Sequence, residues 1–413
     1  TPALCALAKG YYREDSHWNA AYKQMEKALE YRGVGDTLPP ELVSAVYGTP
    51  VKTSISRLEQ YRSCPFAHFI HYGLKPRPRE EYIVTPPDIG TLLHSVIDGV
   101  FKRAAGAGMA LSELDGDTRN HWVEEELENQ IPQMAGQVFE STGAYRFLGK
   151  KLKRVGIQTL RMLAEHLGQG DFTFKYSERH FTQPVNAPAL PRGTSIRGVV
   201  DRIDTYTKDG ETFIKVIDYK TGAKAINLAE VYYGISLQLL VYMDAGMALA
   251  SQEEGGTLCL PGGTFYFHVD DPMVSGEGLT GEDLQRELDK KFKMKGIFLD
   301  DPRVIAALDV ENAKSSAIFE KGSALSRFNI EEFEDLLRYI EAIIEESLVN
   351  ILGGDITIAP YKMGNQTACD YCEYKSICQF DESLERCAYR VLREKISKEL
   401  LLEEVREDRD EVD

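Results

Sequence analysis

The sequence of 413 residues lacks several features that would assign it a simple function. It has no run of about 18 apolar residues, so we expect no membrane-spanning helix and no membrane partner. It contains no Gly-X4-Gly-Lys-Ser/Thr loop, and neither the Gly-X-Ser-X-Gly nor the His-Glu-X-X-His motif. These absences exclude an ATP site of the P-loop type and the commonest esterase and zinc-protease sites within this chain.

Basic residues and cysteines are also in short supply. The chain has 48 Lys and Arg against 65 Asp and Glu, a net charge of −17, which disfavours coating of nucleic acid but leaves room for a local basic channel. Seven cysteines are too few for a disulfide scaffold.

The N-terminus has neither an initiator Met nor the layout of a signal peptide. We therefore expect a cytoplasmic protein, represented here by a piece of a longer polypeptide.

Strand-forming residues are concentrated in the middle of the chain. β-Branched and aromatic residues predict strands over 172–185, 194–206 and 211–219, with a tight turn between the second and third. Helical periodicity predicts helices over 235–250 and 330–352. This alternation predicts an α/β fold in which a mixed central sheet is flanked by helices.

The same patterns suggest an organisation into segments. Residues 1–50 are expected to be the trailing end of a preceding domain. Residues 51–393 are expected to form the main domain, with a helical insertion at about 106–170 and a cysteine-bearing segment at 364–380. Residues 394–413 are expected to form an acidic tail whose end frays.

Two carboxylates and an amine form the densest group of reactive side chains. Asp201 is expected to end one strand and Asp218 its hairpin partner, so the two can converge. Two such acids repel each other unless a divalent cation lies between them. Lys220 has the same side-chain parity as Asp218 and can stabilise charge on a phosphate. The alternative is a surface ion pair at the ends of two strands.

Three cysteines near the C-terminus have the spacing of a metal site. Cys369, Cys372 and Cys378 supply three thiolates, one fewer than a closed tetrahedral site needs. The fourth ligand could be Cys387 or the distant Cys64. Spacing alone leaves structural zinc, an iron-sulfur centre and buried inert cysteines as alternatives.

The motifs around the carboxylates resemble those of a known family. Gly-Val-Val-Asp-Arg-Ile-Asp, ending at Asp204, and Asp-Tyr-Lys-Thr-Gly, ending at Gly222, are similar to the core of the RecB-like branch of the PD-(D/E)XK nucleases. That family adds a His on an upstream helix and a Gln-X-X-X-Tyr on the following helix. This chain offers His94, Gln238 and Tyr242 in that order.

The resemblance implies a restriction-endonuclease-like fold and a Mg²⁺-dependent deoxyribonuclease. The implied metal ligands are His94, Asp201, Asp218 and the carbonyl of Tyr219. The implied catalytic residues are both aspartates, Lys220, Gln238 and Tyr242. Lys220 would position the attacking water, and Gln238 and Tyr242 would support the lysine or the strand.

The cysteines extend the resemblance to a subgroup of these nucleases. One cysteine before the motifs and Cys-X2-Cys-X5-Cys after them is the arrangement of iron-sulfur nucleases, and residues 54–74 look like AddB subunits of bacterial AddAB helicase-nucleases. This likeness implies a [4Fe-4S] cluster on Cys64, Cys369, Cys372 and Cys378. It also implies that residues 1–50 end a preceding helicase-like domain. The same likeness implies a heterodimer with the helicase subunit AddA, single-stranded DNA ends as substrate, and a role in processing double-strand breaks for recombinational repair.

Two other functions are compatible with much of this pattern. The chain could be a DNA-end-binding structural module with a silent nuclease site, although the intact Asp201, Asp218 and Lys220 argue against this. It could also be a freestanding exonuclease of the CRISPR-associated type, which the helical insertion and the first 50 residues disfavour.

Overall fold

A computed structural model describes residues 37–77, 84–135, 142–222, 224–253, 257–275, 280–309, 327–383 and 387–412, together with residues 19–20, 23–24 and 139. Most of the expected N-terminal segment 1–50, including a helix predicted over residues 18–31, lies outside these ranges.

A mixed sheet of seven strands forms the centre of the described structure. The strands are β1 (Lys52–Ser54), β2 (Thr173–Pro184), β3 (Ser195–Lys208), β4 (Glu211–Lys220), β5 (Cys259–His268), β6 (Lys295–Leu299) and β7 (Arg327–Phe328). Their order is β1-β3-β4-β5-β6-β7, and β2 pairs with β3 in addition. The pairs β1–β3, β4–β5 and β6–β7 are parallel and the other three are antiparallel. This arrangement confirms the predicted fold class.

The β3–β4 hairpin has the turn that its sequence predicts. Lys208 pairs with Glu211, so the turn consists of Asp209 and Gly210. Both residues have positive φ values, 52° and 83°, as the favoured two-residue hairpin turns require. This turn fixes the register of the hairpin, on which the positions of the two carboxylates depend.

Helices cover the sheet and connect its strands. They are α1 (Pro40–Tyr47), α2 (Ile55–Ser63), α3 (Pro65–His68), α4 (Pro86–Gly106), α5 (Gly116–Ala135), α6 (Gly143–Gly168), α7 (Leu228–Tyr232), α8 (Gln238–Glu253), α9 (Gly281–Lys290), α10 (Pro302–Leu308), α11 (Ile330–Leu352), α12 (Lys375–Cys378) and α13 (Lys398–Val412). Helix α8 packs on β4 and β5, and α4 packs on β2, α5 and α6. Among the described residues, no helix combines the length and the apolar character needed to cross a bilayer.

Strand β4 lies at the centre of the hydrophobic core. Phe213, Ile214, Val216 and Ile217 are all at most 1% exposed, which is the near-continuous burial expected of an interior strand covered on both faces. The end of β4 that carries the reactive residues is therefore held by a rigid, fully packed element.

The beginning and the end of the described chain are joined. The hydroxyl of Tyr61 donates a 2.5 Å hydrogen bond to Asp355, and the N–H of Phe66 donates to the carbonyl of Thr357 at 3.1 Å. The guanidinium of Arg390 donates to the carbonyl oxygens of Arg62 and, at 3.2 Å, Ser63. Because these carbonyls lie at the end of α2, the arginine also caps that helix.

The C-terminal residues form more structure than their acidity predicts. Strands β8 (Tyr361–Met363), β9 (Gln366–Thr367) and β10 (Arg390–Leu392) form a small separate sheet. Helix α13 follows and packs on α11. Leu401, Leu402 and Val405 are at most 6% exposed, so α13 packs through an apolar face. The segment expected to form an acidic tail is helical over residues 398–412.

Candidate active site

The β3–β4 hairpin places two carboxylates next to each other. Arg202 pairs with Ile217, so Asp201 and Asp218 occupy the adjacent positions on the two strands. One oxygen of Asp201 accepts a 2.8 Å hydrogen bond from the N–H of Tyr219. Both residues are buried: Asp201 has 7% and Asp218 has 0% of its surface exposed. The expectation that Asp201 ends its strand is wrong, because β3 continues past it to the hairpin turn.

His94 on helix α4 reaches the same point from a different element. Its Nε2 atom is 3.0 Å from the carbonyl oxygen of Tyr219, and its Nδ1 atom is 3.5 Å from an oxygen of Asp201. A carbonyl oxygen can only accept a hydrogen bond, so Nε2 carries the hydrogen and Nδ1 is left as the ligand atom of the ring. The Tyr219 carbonyl thus lies at the site and also orients the histidine.

Glu178 is a member of this group that the sequence reasoning missed. It lies on β2 between Ser177 and Arg179, which pair with the residues on either side of Asp201, and its carboxylate is 3.6 Å from Nδ1 of His94. Ligand atoms of His94, Glu178 and Asp201 lie within 4.8 Å of one another. The φ of Glu178, 45°, is unusual for a residue other than glycine, and such backbone outliers are concentrated at functional sites.

Lys220 lies on the other side of the carboxylates. Its ammonium group forms an ion pair with Asp218 and donates a 2.9 Å hydrogen bond to Oε1 of Gln238. The amide nitrogen of Gln238 in turn donates to the hydroxyl of Tyr242 at 3.0 Å. Gln238 and Tyr242 are four residues apart on α8, so they are neighbours on one helical face. The structure therefore brings together all the residues that the sequence placed near the carboxylates.

The electrostatics of the site favour a positive charge. Burial, followed by the negative charge of Asp218, raises the pKa of Asp201. Burial also raises the pKa of Asp218, and the nearby Lys220 offsets this only in part. Burial acts to lower the pKa of His94, but Glu178 and Asp201 outweigh it and raise that pKa. A bound cation would stabilise the ionised forms of these carboxyl groups, whose pKa values burial has raised.

The second aspartate of the Gly-Val-Val-Asp-Arg-Ile-Asp motif faces away from this site. Asp204 is fully buried, accepts two 2.7 Å hydrogen bonds from Arg202 and lies 2.9 Å from the ammonium group of Lys215. Burial acts to raise the pKa of Asp204, but the two cations outweigh it and lower that pKa. Its role is to satisfy charges inside the sheet, because residues three apart on a strand lie on opposite faces.

Four cysteines line one small apolar cavity. They are Cys64, Cys369, Cys372 and Cys378, and the cavity walls include Phe66 and Phe380. Cys64 lies between α2 and α3, and burial raises the pKa of its thiol. Cys387 does not line the cavity.

Two open clefts each include one residue of the site. The edge cleft runs along β2 and is lined by Lys102, Lys175, Tyr176, Glu178 and Arg179, among others. The hairpin cleft is lined by Lys220, Thr221, Lys224, Glu230, Tyr361 and Gln366, among others. Glu178 belongs to the first cleft and Lys220 to the second, so both clefts reach the neighbourhood of the carboxylates.

The sequence resembles a family of known enzymes over most of its length. Residues 52–379 match the model of the PD-(D/E)XK nuclease superfamily. This range includes both carboxylates, Lys220 and the four cysteines of the apolar cavity.

Curated relatives from several bacteria share this similarity. The chain is 34% identical over 418 residues to a protein of Clostridium acetobutylicum, 33% over 423 residues to one of Caldanaerobacter subterraneus, and 32% over 416 residues to one of Alkaliphilus oremlandii. Each is named as a subunit of an ATP-dependent helicase/deoxyribonuclease. The matches cover 97–98% of this chain but 36% of each relative, so the chain spans about a third of the length of the proteins it resembles.

Proposed function

The chain belongs to the PD-(D/E)XK nuclease superfamily, and from that premise we propose that it hydrolyses phosphodiester bonds of DNA with a bound Mg²⁺ ion. The observation that carries this proposal is the convergence of Asp201, Asp218 and Lys220 on the β3–β4 hairpin. Carboxylates, a cation and an amine are suited to a phosphate, whose negative charge increases during hydrolysis.

The residues present fit a magnesium ion. Oδ1 of Asp218 is buried and accepts no hydrogen bond from the described residues, so its lone pairs are available to a cation. Together with Asp201, His94, Glu178 and the Tyr219 carbonyl it offers mainly the hard oxygen ligands that Mg²⁺ prefers. When bound, such an ion polarises the phosphate and acidifies a water molecule.

The remaining residues of the site orient the reactants. Lys220, fixed by Asp218 and Gln238, carries the positive charge that attracts the scissile phosphate and positions the attacking water. Tyr242 fixes the amide of Gln238, so that its oxygen faces the lysine. The water loses a proton to solvent as its oxygen forms the new bond to phosphorus. The bond to the leaving nucleotide oxygen breaks, and that oxygen takes up a proton from solvent.

The two clefts support a single strand as the substrate. A flexible phosphate backbone can pass from the edge cleft to the hairpin cleft across the carboxylates, with Lys102, Lys175 and Arg179 on one side and Lys224 on the other. Tyr176 and Tyr361 add aromatic side chains of the kind on which unpaired bases stack. This local basic surface is compatible with the net charge of −17.

The names of the relatives support a wider role. Because they are called helicase/deoxyribonuclease subunits, we infer that this nuclease acts in the cytoplasm on strands delivered by a helicase partner of the AddA type, in processing double-strand breaks for recombinational repair. The residues at the site argue for an active enzyme, since a silent module would have no use for three clustered acids beside a lysine.

The cysteine cavity supports a [4Fe-4S] cluster on Cys64, Cys369, Cys372 and Cys378. The four cysteines line one cavity, and its apolar walls suit the sulfide-rich surface of a cluster. The backbone N–H groups around Cys64 would stabilise its thiolate in such a cluster.

We expect the purified chain to degrade end-labelled single-stranded DNA in the presence of Mg²⁺ and to stop when a chelator is added. The expected result is a loss of labelled substrate that depends on the metal and requires no ATP. Absence of cleavage with Mg²⁺ or Mn²⁺, by protein whose circular dichroism shows it to be folded, would contradict the proposed activity.

Each cleft is expected to contribute to DNA binding. The variants Arg179→Ala and Lys224→Ala each remove one positive charge from one cleft, so binding of a single-stranded oligonucleotide should weaken. The slope of log affinity against log salt should fall by about 0.7 for each lost phosphate contact. Fluorescence anisotropy in a chelating buffer measures binding without cleavage.

The matched control is Lys153→Ala. Lys153 pairs with Glu124 at 2.8 Å and lines neither cleft, yet its removal changes the net charge equally. If all three variants show the same salt slope, the proposed path of the strand is wrong.

A further inference from the structure

A carboxylate on helix α2 lies at the beginning of helix α8. Oε1 of Glu59 accepts hydrogen bonds from the N–H groups of Leu237 at 2.8 Å and Gln238 at 3.1 Å. Leu237 precedes α8 and Gln238 is its first residue, so neither N–H group has a partner within the helix. Glu59 is 178 residues away in the sequence from the first of them, so this contact is purely tertiary.

Helix α8 needs this contact because it lacks a cap of its own. The residue before the helix is Leu237, whose side chain has no hydrogen-bond acceptor. The hydroxyl of the preceding Ser236 faces Tyr266 at 3.4 Å instead. Glu59 therefore takes the place of the missing cap, and its negative charge also suits the positive end of the helix dipole.

The capped residue is the one that contacts the lysine of the site. Gln238 is the first residue of α8, and its side chain accepts from Lys220 at 2.9 Å and donates to Tyr242 at 3.0 Å. The first residue of a helix is also the one most subject to fraying. Fixing its backbone therefore fixes the amide that holds the ammonium group.

We propose that Glu59 is a positioning residue, which holds Gln238 and through it places Lys220 for phosphodiester hydrolysis. This inference rests on the proposed function. Burial raises the pKa of Glu59, and Lys224 and the two N–H groups oppose this rise, which is consistent with a carboxylate kept in place by its contacts.

The alternative is that Glu59 only stabilises the fold, and a second helix cap in the chain separates the two. Asn329 caps α11 from the position directly before that helix, accepting a 2.9 Å hydrogen bond from the N–H of Glu332. It belongs to none of the elements of the site. Loss of either cap should lower stability comparably, whereas only Glu59 should affect cleavage.

The test compares Glu59→Ala, Glu59→Gln and Asn329→Ala in the whole chain with Mg²⁺ and a single-stranded oligonucleotide. For Glu59→Ala we expect kcat to fall about ten- to hundred-fold, because a small misplacement of a catalytic group has an effect of this size. KM should stay within about two-fold of the parent value. Glu59→Gln should recover most of the rate, because an amide oxygen can still accept both hydrogen bonds. Asn329→Ala should shift the urea midpoint similarly to Glu59→Ala but leave kcat unchanged.

A double variant tests the path through Gln238. If Glu59 acts through that residue, Glu59→Ala should lower kcat little further in a Gln238→Ala background. Fully additive effects, or equal kcat values for Glu59→Ala and Asn329→Ala, would overturn the inference while leaving the nuclease assignment intact. Amide hydrogen exchange at Leu237 and Gln238 should accelerate in Glu59→Ala, a readout that is independent of cleavage, and unchanged exchange would also overturn it.

Discussion

We expect Asp218→Asn to lower the rate of Mg²⁺-dependent cleavage by roughly three orders of magnitude, while single-stranded DNA still binds. The substitution keeps the shape of the side chain and removes a negative charge that a cation would need. It also removes the ion pair that holds Lys220. Single-turnover kinetics measure the loss of cleavage, and fluorescence anisotropy on the same preparation measures the binding of single-stranded DNA.

The same substitution should not destabilise the metal-free protein. The folded state raises the pKa of Asp218 above its ordinary value, mainly through burial. Ionised Asp218 therefore costs folding free energy at any pH above its unfolded pKa, and a neutral side chain avoids that cost. A urea midpoint equal to or above that of the parent, together with lost cleavage, is the expected pair of results. Cleavage at the parent rate would remove Asp218 from the catalytic site.

The second large effect is expected from Cys64→Ala. If the four cysteines hold one metal centre, loss of one ligand should release all the metal, because the binding free energy of such a centre is folding free energy. We expect a destabilisation above about 4 kcal/mol, which is exceptional for a single substitution. Loss of visible iron-sulfur absorbance and of iron after anaerobic purification measures the first effect, and urea denaturation measures the second.

Cys259→Ala is the control for this experiment. Cys259 is also buried, on β5, but it does not line the cysteine cavity. Its substitution should retain the metal and cost about 1 kcal/mol, the usual effect of a point substitution. Full iron content in Cys64→Ala would contradict the proposed ligand set. One zinc ion and no iron in the parent protein would contradict the choice of cluster.

Local sequence patterns predicted the central hairpin well. The strands around Asp201 and Asp218 lie within two residues of their predicted bounds, because β-branched alternation and an Asp-Gly turn specify a hairpin from short-range information. The helix predicted over 330–352 has those bounds in the structure. Its apolar positions repeat with the helical period, and Asn329 marks its beginning.

The same local patterns could not predict contacts between residues that are far apart in the sequence. Glu178 and Glu59 come to the site from a strand and a helix whose sequences carry no local mark of chemistry, and only the pairing of β2 with β3 or the docking of α2 on α8 identifies them. The gathering of Cys64 with the C-terminal cysteines was predicted from a family resemblance, since spacing leaves the fourth ligand open. The packing of α13 also depends on long-range contacts, through which Leu401, Leu402 and Val405 are buried in an acidic segment.

The joining of the first and last parts of the domain has a consequence for how it is made. Tyr61 and Asp355 are 294 positions apart, and Ser63 and Arg390 are 327 apart. A ribosome adding about 5–20 residues per second needs roughly 15–60 s to produce the later member of the first pair after the earlier one. Throughout that interval the segment that carries Tyr61 and Ser63 has been synthesised without the partners that Asp355 and Arg390 supply. Completion of this domain therefore waits for its last segments, and a nascent chain that stops before Asp355 would lack the hydrogen bonds that join its two ends.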